Sequence, residues 1–351
     1  MGRRSAENPE SILLAHGDGG LLTGQLISGL FLRYFRSPVL GRLTDAAVLS
    51  LAKGQPEVNW PQGGRLAFTT DSFVVDPIFF PGGDIGRLAV CGTVNDLAVS
   101  GARPLFLSAG FILEEGLRLD ELERVVASMA AAAAEAGVEI VAGDTKVVDR
   151  GHGDKIFINT AGIGVVAPGV DLGYHRIVPG DLVLLNGPVG EHGLAVLSRR
   201  QGLEFETPVV SDCAPLNALV LPLLPRFPGI KFLRDPTRGG VATTVKELAM
   251  AAGVDVLLFE DQLPVSDQVR GAAEMLGLDP LYLANEGKVV MVVAAGETPS
   301  VLEAMRHLPG GQGASVIGEV RAGGGNAYLR TVLGATRVLH LLAGEQLPRI
   351  C

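Results

Sequence analysis

The sequence predicts an α/β (α+β) protein made of two domains and a short C-terminal tail. With 351 residues, the chain exceeds the length that a single hydrophobic core usually serves. Apolar segments with the character of strands alternate with helical segments along most of the chain. A stretch containing Gly173 and the Pro179-Gly180 pair interrupts this alternation. We therefore expect one domain at residues 1–168, a second at 169–342 and a mobile tail at 343–351.

The first domain is expected to hold four strands and two helices. Asp84 follows the turn Pro81-Gly82-Gly83 and can cap a helix, because a side-chain oxygen at this position accepts unpaired backbone N–H groups. A run of alanines at 130–134 favours the second helix. The expected strands cover 65–75, 105–113, 138–142 and 155–166, and the expected helices cover 84–100 and 120–136.

The second domain repeats this style with six strands and five helices. The expected strands cover 182–186, 254–259, 288–294, 315–320, 327–331 and 336–340. The expected helices cover 191–200, 213–224, 239–252, 269–276 and 299–307. We find no short internal repeat that would indicate a solenoid or propeller.

Composition excludes several classes of function. The net charge of −9 provides no basic surface for nucleic acid. Apolar runs such as 125–134 fall short of the ~20 residues that a membrane-spanning helix needs. The segment after Met1 has no long apolar stretch typical of a signal peptide, so we expect a cytoplasmic protein. Three cysteines without a CxxC pair predict neither a disulfide framework nor a zinc site.

Isolated aspartates stand within or beside apolar segments, often next to glycine. A carboxylate in such a place loses hydration unless it is paired. Mg²⁺ is the simplest partner, because it takes oxygen ligands from a few carboxylates together with phosphates and water. The alternative for each residue is a helix cap or a turn. The five aspartates are Asp45, Asp71, Asp96, Asp144 and Asp235.

Two glycine-rich segments can bind an anion. Residues 16–20 (HGDGG) precede a helical stretch and offer backbone N–H groups to phosphates. Residues 235–240 (DPTRGG) open the helix expected at 239–252, whose N-terminus also favours an anion. Either segment alone can equally be a flexible turn. The sequence lacks a P-loop and lacks a GxGxxG motif after a strand.

The last residue of the sequence, Cys351, is a candidate reactive thiol. A thiol at a chain end is sterically open, although at a pKa near ~8.5 only a small fraction is ionised at neutral pH. Nine extended residues after Leu342 would let it travel up to about 30 Å. The alternative is a tail of no functional significance. Cys91 and Cys213 are expected to be packing residues.

In combination, seven motifs resemble those of the HypE family of hydrogenase maturation factors. They are HGDGG, TTDSFVVDP, GTVNDLAVSGARP, AGDTKVV, DPTRGGVA, NEGK and the final PRIC. The resemblance runs the whole length of the chain. It implies the two-domain fold of aminoimidazole ribonucleotide synthetase, which selenophosphate synthetase and thiamine-monophosphate kinase share. It also implies a homodimer formed by the first domain, with ATP bound there and the second domain completing the site.

The resemblance further implies a reaction on Cys351. A partner, HypF, would load a carbamoyl group onto this thiol, and the protein would use ATP and Mg²⁺ to dehydrate the group to a thiocyanate. The cyano group would then pass to iron held by HypC and HypD, for the centre of nickel-iron hydrogenase. Phosphoryl transfer of this kind depends on positioning and on neutralising charge.

The family match assigns roles to single residues. Loss of two N–H protons calls for a base within ~3 Å of the nitrogen, and Lys146 and Glu286 are the candidates. Without the resemblance, these two would be a solvated lysine and a turn residue; Lys288 is an alternative phosphate contact. Candidate magnesium ligands are Asp45, Asp71, Asp96 and Asp235. Further candidate nucleotide contacts are His16, Gly17, Asp18, Gly19, Gly20, Asn95, Asp144, Arg238 and Gly239.

Three other functions stay open at this point. The first is a small-molecule kinase or synthetase of the same superfamily, in which the tail plays no part. The second is an ATP-sensing scaffold whose tail only docks a partner, without any covalent adduct. The third is a simple acceptor thiol that carries a group without transforming it.

Overall fold

The computed structural model describes residues 11–13, 25–36, 64–203, 209–342, 347 and 349–351. These residues form two large sheets, each covered by helices, and a short two-stranded sheet in which 79–80 pairs with 83–84. The prediction of a mixed α/β fold is therefore confirmed. In the described part of the chain, no helix is long and apolar enough to cross a membrane.

The first unit is built on a four-stranded sheet in the order β1-β4-β2-β3. Strands β2 and β3 run parallel, whereas the pairs β1–β4 and β2–β4 are antiparallel. Two helices cover one face of this sheet and bury one continuous hydrophobic cluster against it. Its elements are β1 (Arg65–Phe73), α1 (Ile85–Val99), β2 (Ala102–Glu114), α2 (Leu119–Ala136), β3 (Glu139–Val148) and β4 (Ile156–Val166).

Local chemistry sets the ends of the two helices. The Asp84 carboxylate accepts the backbone N–H groups of Gly86 and Arg87 at 2.7 and 3.1 Å, and so begins α1 as the sequence predicts. Helix α2 ends at Gly137, whose φ of 68° is a left-handed conformation that glycine adopts without steric cost. Most side chains of α1 are buried, because this helix lies between the sheet and the second unit.

The second unit is built on a seven-stranded sheet in the order β11-β10-β7-β9-β5-β8-β6. Only the pair β7–β10 is parallel; the other neighbours in this sheet are antiparallel. The strands are β5 (Leu182–Leu185), β6 (Ile230–Arg234), β7 (Asp255–Phe259), β8 (Val290–Val293), β9 (Ser315–Arg321), β10 (Ala327–Arg330) and β11 (Thr336–Leu339).

Helices lie on both faces of this sheet and give the second unit two separate apolar cores. One core contains Val245 and Leu248 of α5, and the other contains Val301 and Met305 of α7. The helices are α3 (Glu191–Gln201), α4 (Asn217–Val220), α5 (Gly240–Ala252), α6 (Asp267–Leu276) and α7 (Thr298–Arg306).

The buried side chain of Asn95 on α1 joins the two units. Its Nδ2 donates to the carbonyl oxygens of Ala214 and Glu286, both at 3.1 Å. Its Oδ1 accepts the backbone N–H of Leu216 at 2.8 Å. The amide is thus satisfied entirely by the backbone of the second unit, and it fixes the position of Glu286 relative to α1.

Two elements differ from the sequence prediction, and a third is longer than expected. The helix expected at 213–224 is wrong over most of its length, because only 217–220 is α-helical. Pro215 disfavours helical backbone at the residue before it, and Asn95 provides partners for the groups around it. Strand β6 was not predicted, and β3 continues from the expected 138–142 to Val148. Asp144 therefore lies within a strand rather than in a loop.

Candidate functional site

Three of the predicted aspartates meet where the two units join. Asp71 lies near the end of β1, Asp96 lies in α1 beside Asn95, and Asp235 directly follows β6. Asp96 Oδ2 accepts a hydrogen bond from Thr69 Oγ1 at 2.8 Å, which holds α1 against β1.

The electrostatic environment of these three carboxyls favours their neutral form. The pKa of Asp71 is raised by burial, and the pKa of Asp96 is raised by burial and by the charge of Asp71. Burial and the neighbouring Asp96 raise the pKa of Asp235 to about 7. Arg234 and Arg238 oppose these effects only in part. The cluster therefore has more negative charge than its surroundings can neutralise, which is the condition that a bound cation relieves.

The carboxyls are close enough to interact but do not form a complete metal cage. Among the residues that the structure describes, no group of three or more His, Cys, Asp or Glu side chains could hold an ion together. Mg²⁺ is commonly held by one or two carboxylates and by substrate phosphates, so Asp71, Asp96 and Asp235 suit a magnesium-nucleotide complex. The fourth candidate ligand, Asp45, lies outside the described residues.

Glu286 lies beside this acidic cluster and is almost fully buried, with 3% of its surface exposed. Its Oε1 is buried and has no hydrogen-bond partner within the described segments. Burial, followed by the charges of Asp235, Asp212 and Asp71, raises the pKa of Glu286 well above its ordinary value. An unpaired buried carboxyl oxygen is costly, and such a group is a strong candidate for proton transfer.

The backbone around Glu286 is held by Asp212, a residue that sequence reasoning missed. The Asp212 carboxylate accepts the N–H groups of Glu286 and Gly287 at 3.2 and 3.1 Å, and it pairs with Lys288 Nζ at 3.0 Å. A Cβ atom on Gly287 would overlap the carbonyl oxygen of Asp212, so only glycine fits there. Lys288 is thereby committed to Asp212. The motif VVSDCAP contains no glycine or spacing that would have marked this aspartate.

The last residues of the tail are docked on the protein rather than extended into solvent. Ile350 is buried, with 2% of its surface exposed, and Cys351 is half-buried against the same hydrophobic cluster. That cluster also contains Cys91 and Cys213, which agrees with their expected packing role. None of the three cysteines forms a disulfide. Hydrogen bonding to Cys91, followed by burial, raises the pKa of the Cys213 thiol well above its ordinary value.

Lys146 and Asp144 form an exposed ion pair at 2.8 Å, away from Glu286. Residues that pair directly across neighbouring strands have their side chains on the same face of the sheet. Following the paired residues from Asp71 on β1 across β4 and β2 leads to Gly143 on β3, so these two residues share a face, the one that the helices cover. Asp144, one residue further on, therefore faces away from the helices. Strand β3 lies three strand spacings from β1, which is about 14 Å. Within one chain, the structure does not bring Lys146 and Glu286 together.

The remaining predicted contacts have four different outcomes. Asn95 is fully engaged in joining the units, so its side chain positions Glu286 rather than facing a ligand. Arg238 is exposed and lies near Asp71, where its charge favours the ionised carboxylate. Gly239 has a φ of 74° and directly precedes α5, as expected for a turn that opens a helix. His16, Gly17, Asp18, Gly19, Gly20 and Asp45 lie outside the described residues.

A cavity of about 320 Å³ adjoins the acidic cluster. Asp96 and Asp235 lie on its wall together with Tyr174 and Phe232, whose ring centroids are 4.9 Å apart. The cavity therefore combines aromatic surface with carboxylates, which is a suitable arrangement for a flat base with an attached phosphate chain.

Comparison with protein families divides the chain into two matching segments. Residues 43–166 match the model of the AIR synthase related protein N-terminal domain. Residues 178–329 match the model of the corresponding C-terminal domain. These segments correspond to the two sheets described above.

Curated relatives and solved structures match over nearly the whole chain. Carbamoyl dehydratase HypE of Cupriavidus necator is 50% identical over 339 residues, covering 96% of this chain and 94% of that protein. HypE of Escherichia coli (strain K12) is 49% identical over 341 residues, covering 97% and 99%. A structure of HypE in complex with ATP has a TM-score of 0.90 at 50% identity, covering 97% of this chain and 99% of that chain.

Two further structures extend the comparison. HypE in a HypE-HypF complex has a TM-score of 0.77 at 47% identity, covering 90% of this chain and 99% of that chain. Thiamine-monophosphate kinase of Stenotrophomonas maltophilia has a TM-score of 0.61 at 20% identity, covering 84% of this chain and 94% of that chain, and shares the fold alone. The matching domain models and the relatives near 50% identity over almost the full length show that the chain belongs to the HypE family of hydrogenase maturation proteins, within the AIR synthase related proteins.

Proposed function

We propose that the protein is an ATP-dependent carbamoyl dehydratase that converts a carbamoyl group on Cys351 into a thiocyanate. One observation carries the proposal: Glu286 presents a buried, unpartnered carboxyl oxygen between the acidic cluster and the core on which the tail is docked. A kinase site needs the acidic cluster but has no need for a docked thiol. The names of the relatives support this assignment.

ATP is proposed to bind with its phosphates toward Asp71, Asp96 and Asp235. The cavity beside Tyr174 and Phe232 would take the base. The exposed guanidinium of Arg238 lies near Asp71 and can reach phosphate oxygens. These three aspartates would hold magnesium, which would supply positive charge to neutralise the phosphates. The structure of a HypE relative with ATP supports nucleotide binding by this fold.

The proposed chemistry removes the elements of water from the carbamoyl group in two steps. Transfer of the γ-phosphoryl group to the carbamoyl oxygen turns that oxygen into a phosphate, which is a good leaving group. One nitrogen proton is released as the oxygen is phosphorylated, which leaves a carbon–nitrogen double bond. The carbon–oxygen bond then breaks as the second proton departs and a carbon–nitrogen triple bond forms. The products are the thiocyanate on Cys351, ADP and phosphate. Glu286 is proposed to accept a proton from the nitrogen.

The raised pKa of Glu286 fits a base that becomes active only when the site is filled. In the ligand-free protein, burial and the neighbouring carboxylates favour the neutral form of the carboxyl, which cannot accept a proton. Cationic charge near Asp71 and Asp235 would remove two of the interactions that raise the pKa of Glu286. The carboxyl would then ionise next to the nitrogen. This coupling would prevent proton transfer before the nucleotide is bound.

The reaction requires partners on either side of it. We propose that HypF supplies the carbamoyl group, since a relative forms a HypE-HypF complex. We propose that the cyano group passes to iron held by HypC and HypD. Both steps require that Cys351 leave its docked position. The mobility of residues 343–351 therefore remains part of the proposal.

A homodimer is proposed to form through the uncovered face of the first sheet. Phe68, Leu66 and Ile112 expose apolar surface on this face, and Phe68 is 67% exposed. Exposed apolar side chains on one face of a sheet are typical of an interface. Lys146 lies on the same face and could reach reacting groups only through a second copy of the chain.

We expect Cys351→Ala to abolish product formation and to leave ATP binding intact. With HypF, a carbamoyl donor and ATP, intact-mass spectrometry of the wild type should show a carbamoyl adduct that loses about 18 Da, the mass of water. Cys213→Ala serves as the control, because this thiol is buried. Thiocyanate formed by Cys351→Ala would refute the assignment. Absence of any adduct would favour the scaffold, and an adduct of constant mass would favour the simple acceptor.

Glu286→Gln should slow single-turnover dehydration by about 10²–10⁴-fold, the usual contribution of a general base. The amide has the same shape and cannot accept the proton, so ATP affinity should stay within about twofold. Glu319→Gln, in an exposed ion pair with Arg321, is the matched control and should keep wild-type rates. Dehydration at a normal rate by Glu286→Gln would exclude this residue as the base.

Asp235→Asn should stabilise the protein when no metal or nucleotide is present. The folded-state pKa of about 7 exceeds the ordinary value of 3.8, so folding stability falls as pH rises between these values. In EDTA at pH ~8, the melting temperature of the variant should be a few degrees above that of the wild type, because each kcal/mol of stability raises it by about 2–4 °C. This difference in melting temperature should be smaller at pH ~5.

The same variant should gain less from MgATP than the wild type, because a proposed ligand is lost. Asp149→Asn, at an exposed position, is the control and should change neither melting curve. A lower melting temperature for Asp235→Asn at both pH values would contradict the electrostatic argument.

Phe68→Glu should convert the proposed dimer into a monomer, because it places a charge in the apolar interface. Sedimentation velocity of the wild type and the variant measures this directly. Leu333→Glu is the control, since Leu333 is 93% exposed on the second unit. A monomeric wild type, or dissociation by both substitutions alike, would rule out this face as the interface.

A further inference from the structure

The end of the tail runs alongside the chain that follows β1, in the manner of an added antiparallel strand. The N–H of Val74 donates to a main-chain carboxylate oxygen of Cys351 at 3.1 Å, and the N–H of Asp76 donates to the carbonyl oxygen of Arg349 at 3.3 Å. Arg349 Nε donates in return to the carbonyl oxygen of Val74 at 3.0 Å. These hydrogen bonds fix the position of the tail along residues 74–76 as well as its distance from them.

Helix α3 of the second unit holds the tail from the other side. His192 Nε2 lies 2.8 Å from the carbonyl oxygen of Ile350, and Arg200 donates to that of Arg349 at 2.6 Å. Arg200 also donates to the carbonyl oxygen of Asp76 at 2.7 Å, so it bridges the tail and the segment after β1. The tail therefore occupies a groove between the two units, and both walls bind its backbone.

The hydrogen bonds of His192 fix its tautomer. A carbonyl oxygen can only accept, so Nε2 must carry the proton that is donated to Ile350. Nδ1 then accepts from the hydroxyl of Ser211 at 2.8 Å, and Ser211 Oγ accepts the N–H of Cys213 at 3.1 Å. Burial lowers the pKa of His192, in agreement with a neutral ring. Each member of this chain of groups has a defined donor or acceptor role.

The same short segment holds both the tail and the candidate base. Ser211 orients His192, and the next residue, Asp212, accepts the N–H groups of Glu286 and Gly287. A shift of this segment would move the contacts of the tail and of Glu286 together. Residues 211–213 therefore link the position of the docked tail to that of Glu286.

One feature of the tail favours its docked position, and another disfavours it. The buried side chain of Ile350 anchors it in the core. Arg349, however, has a φ of 53°, a left-handed conformation that is unfavourable for a residue with a side chain. Docking therefore depends on the contacts made by the groove, and a small loss of contacts should release the tail.

We propose that His192, Arg200 and Ser211 form a binding site for the backbone of residues 349–351, and that His192 is a positioning residue for the dehydration of the group on Cys351. The proposal rests on the function proposed above. It assigns to the helix α3 groove the recognition of an extended peptide end, through its carbonyl oxygens and one apolar side chain.

The docking can be tested without any turnover, by the rate at which iodoacetamide labels Cys351 in the full-length, ligand-free protein. His192→Leu removes the donor to Ile350 and should speed labelling about tenfold. His192→Gln retains an N–H group near the position of Nε2 and should stay within about threefold of the wild type. Cys91 and Cys213 are buried, and peptide mapping separates their labelling from that of Cys351.

Ile350→Ser provides a variant outside the folded units, in case His192→Leu does not fold. It removes the apolar anchor and should raise the labelling rate at least tenfold. Unchanged labelling in both His192→Leu and Ile350→Ser would overturn the docking site. Equal acceleration by His192→Leu and His192→Gln would show that the Nε2 donor has no particular role, and would also overturn the proposal.

Positioning is tested by single-turnover dehydration of the carbamoylated protein after addition of ATP and Mg²⁺. His192→Leu should be slower by about the factor seen in labelling, with unchanged ATP affinity, and His192→Gln should restore the rate. A wild-type rate in His192→Leu would overturn the positioning role. If carbamoylated wild-type protein is never dehydrated, the proposed function fails, whereas the labelling rates still decide whether the groove binds the tail.

Discussion

The arrangement of the site depends on the three buried hydrogen bonds of Asn95. Its amide ties α1 to the backbone at 214–216 and to the carbonyl oxygen of Glu286. Asp96 is the next residue on the same helix, so one rigid element fixes a candidate metal ligand on one side and the candidate base on the other. Each buried partner left unsatisfied would cost about 1–3 kcal/mol, which makes another relative position of the units unfavourable.

Within this frame, the protein concentrates negative charge where its own cations do not balance it. Asp71, Asp96 and Asp235 each have a raised pKa, and Glu286 adds a fourth carboxyl. The buried Lys288 could have neutralised them, but it is paired with Asp212. The ligand-free protein is therefore less stable than it would be if these carboxyls were neutralised by cationic side chains. Such destabilisation is common in sites that gain their balance from a charged ligand.

The sequence patterns correctly predicted elements whose ends depend on interactions between residues close together in the chain. Helix α1 begins after Asp84 as expected, because capping involves neighbours only two and three residues away. The helix expected at 213–224 failed because Leu216 finds its partner in Asn95, 121 residues away. The family motifs identified the three aspartates that come together. They also suggested Lys146 and Glu286 as partners in proton transfer. A motif, however, does not show on which edge or face of a sheet a residue lies.

The docked tail could not have been predicted, because its contacts use backbone rather than side-chain chemistry. His192 occurs in an ordinary helical segment, and nothing in its neighbours marks it as a partner of residue 350. This mode of binding suits the role proposed for Cys351, in which the thiol carries different groups. The hydrogen bonds to the tail from Val74, Asp76, His192 and Arg200 end on main-chain oxygens, which a modification of the thiol leaves unchanged. The groove can therefore bind the tail before and after a group is attached to it.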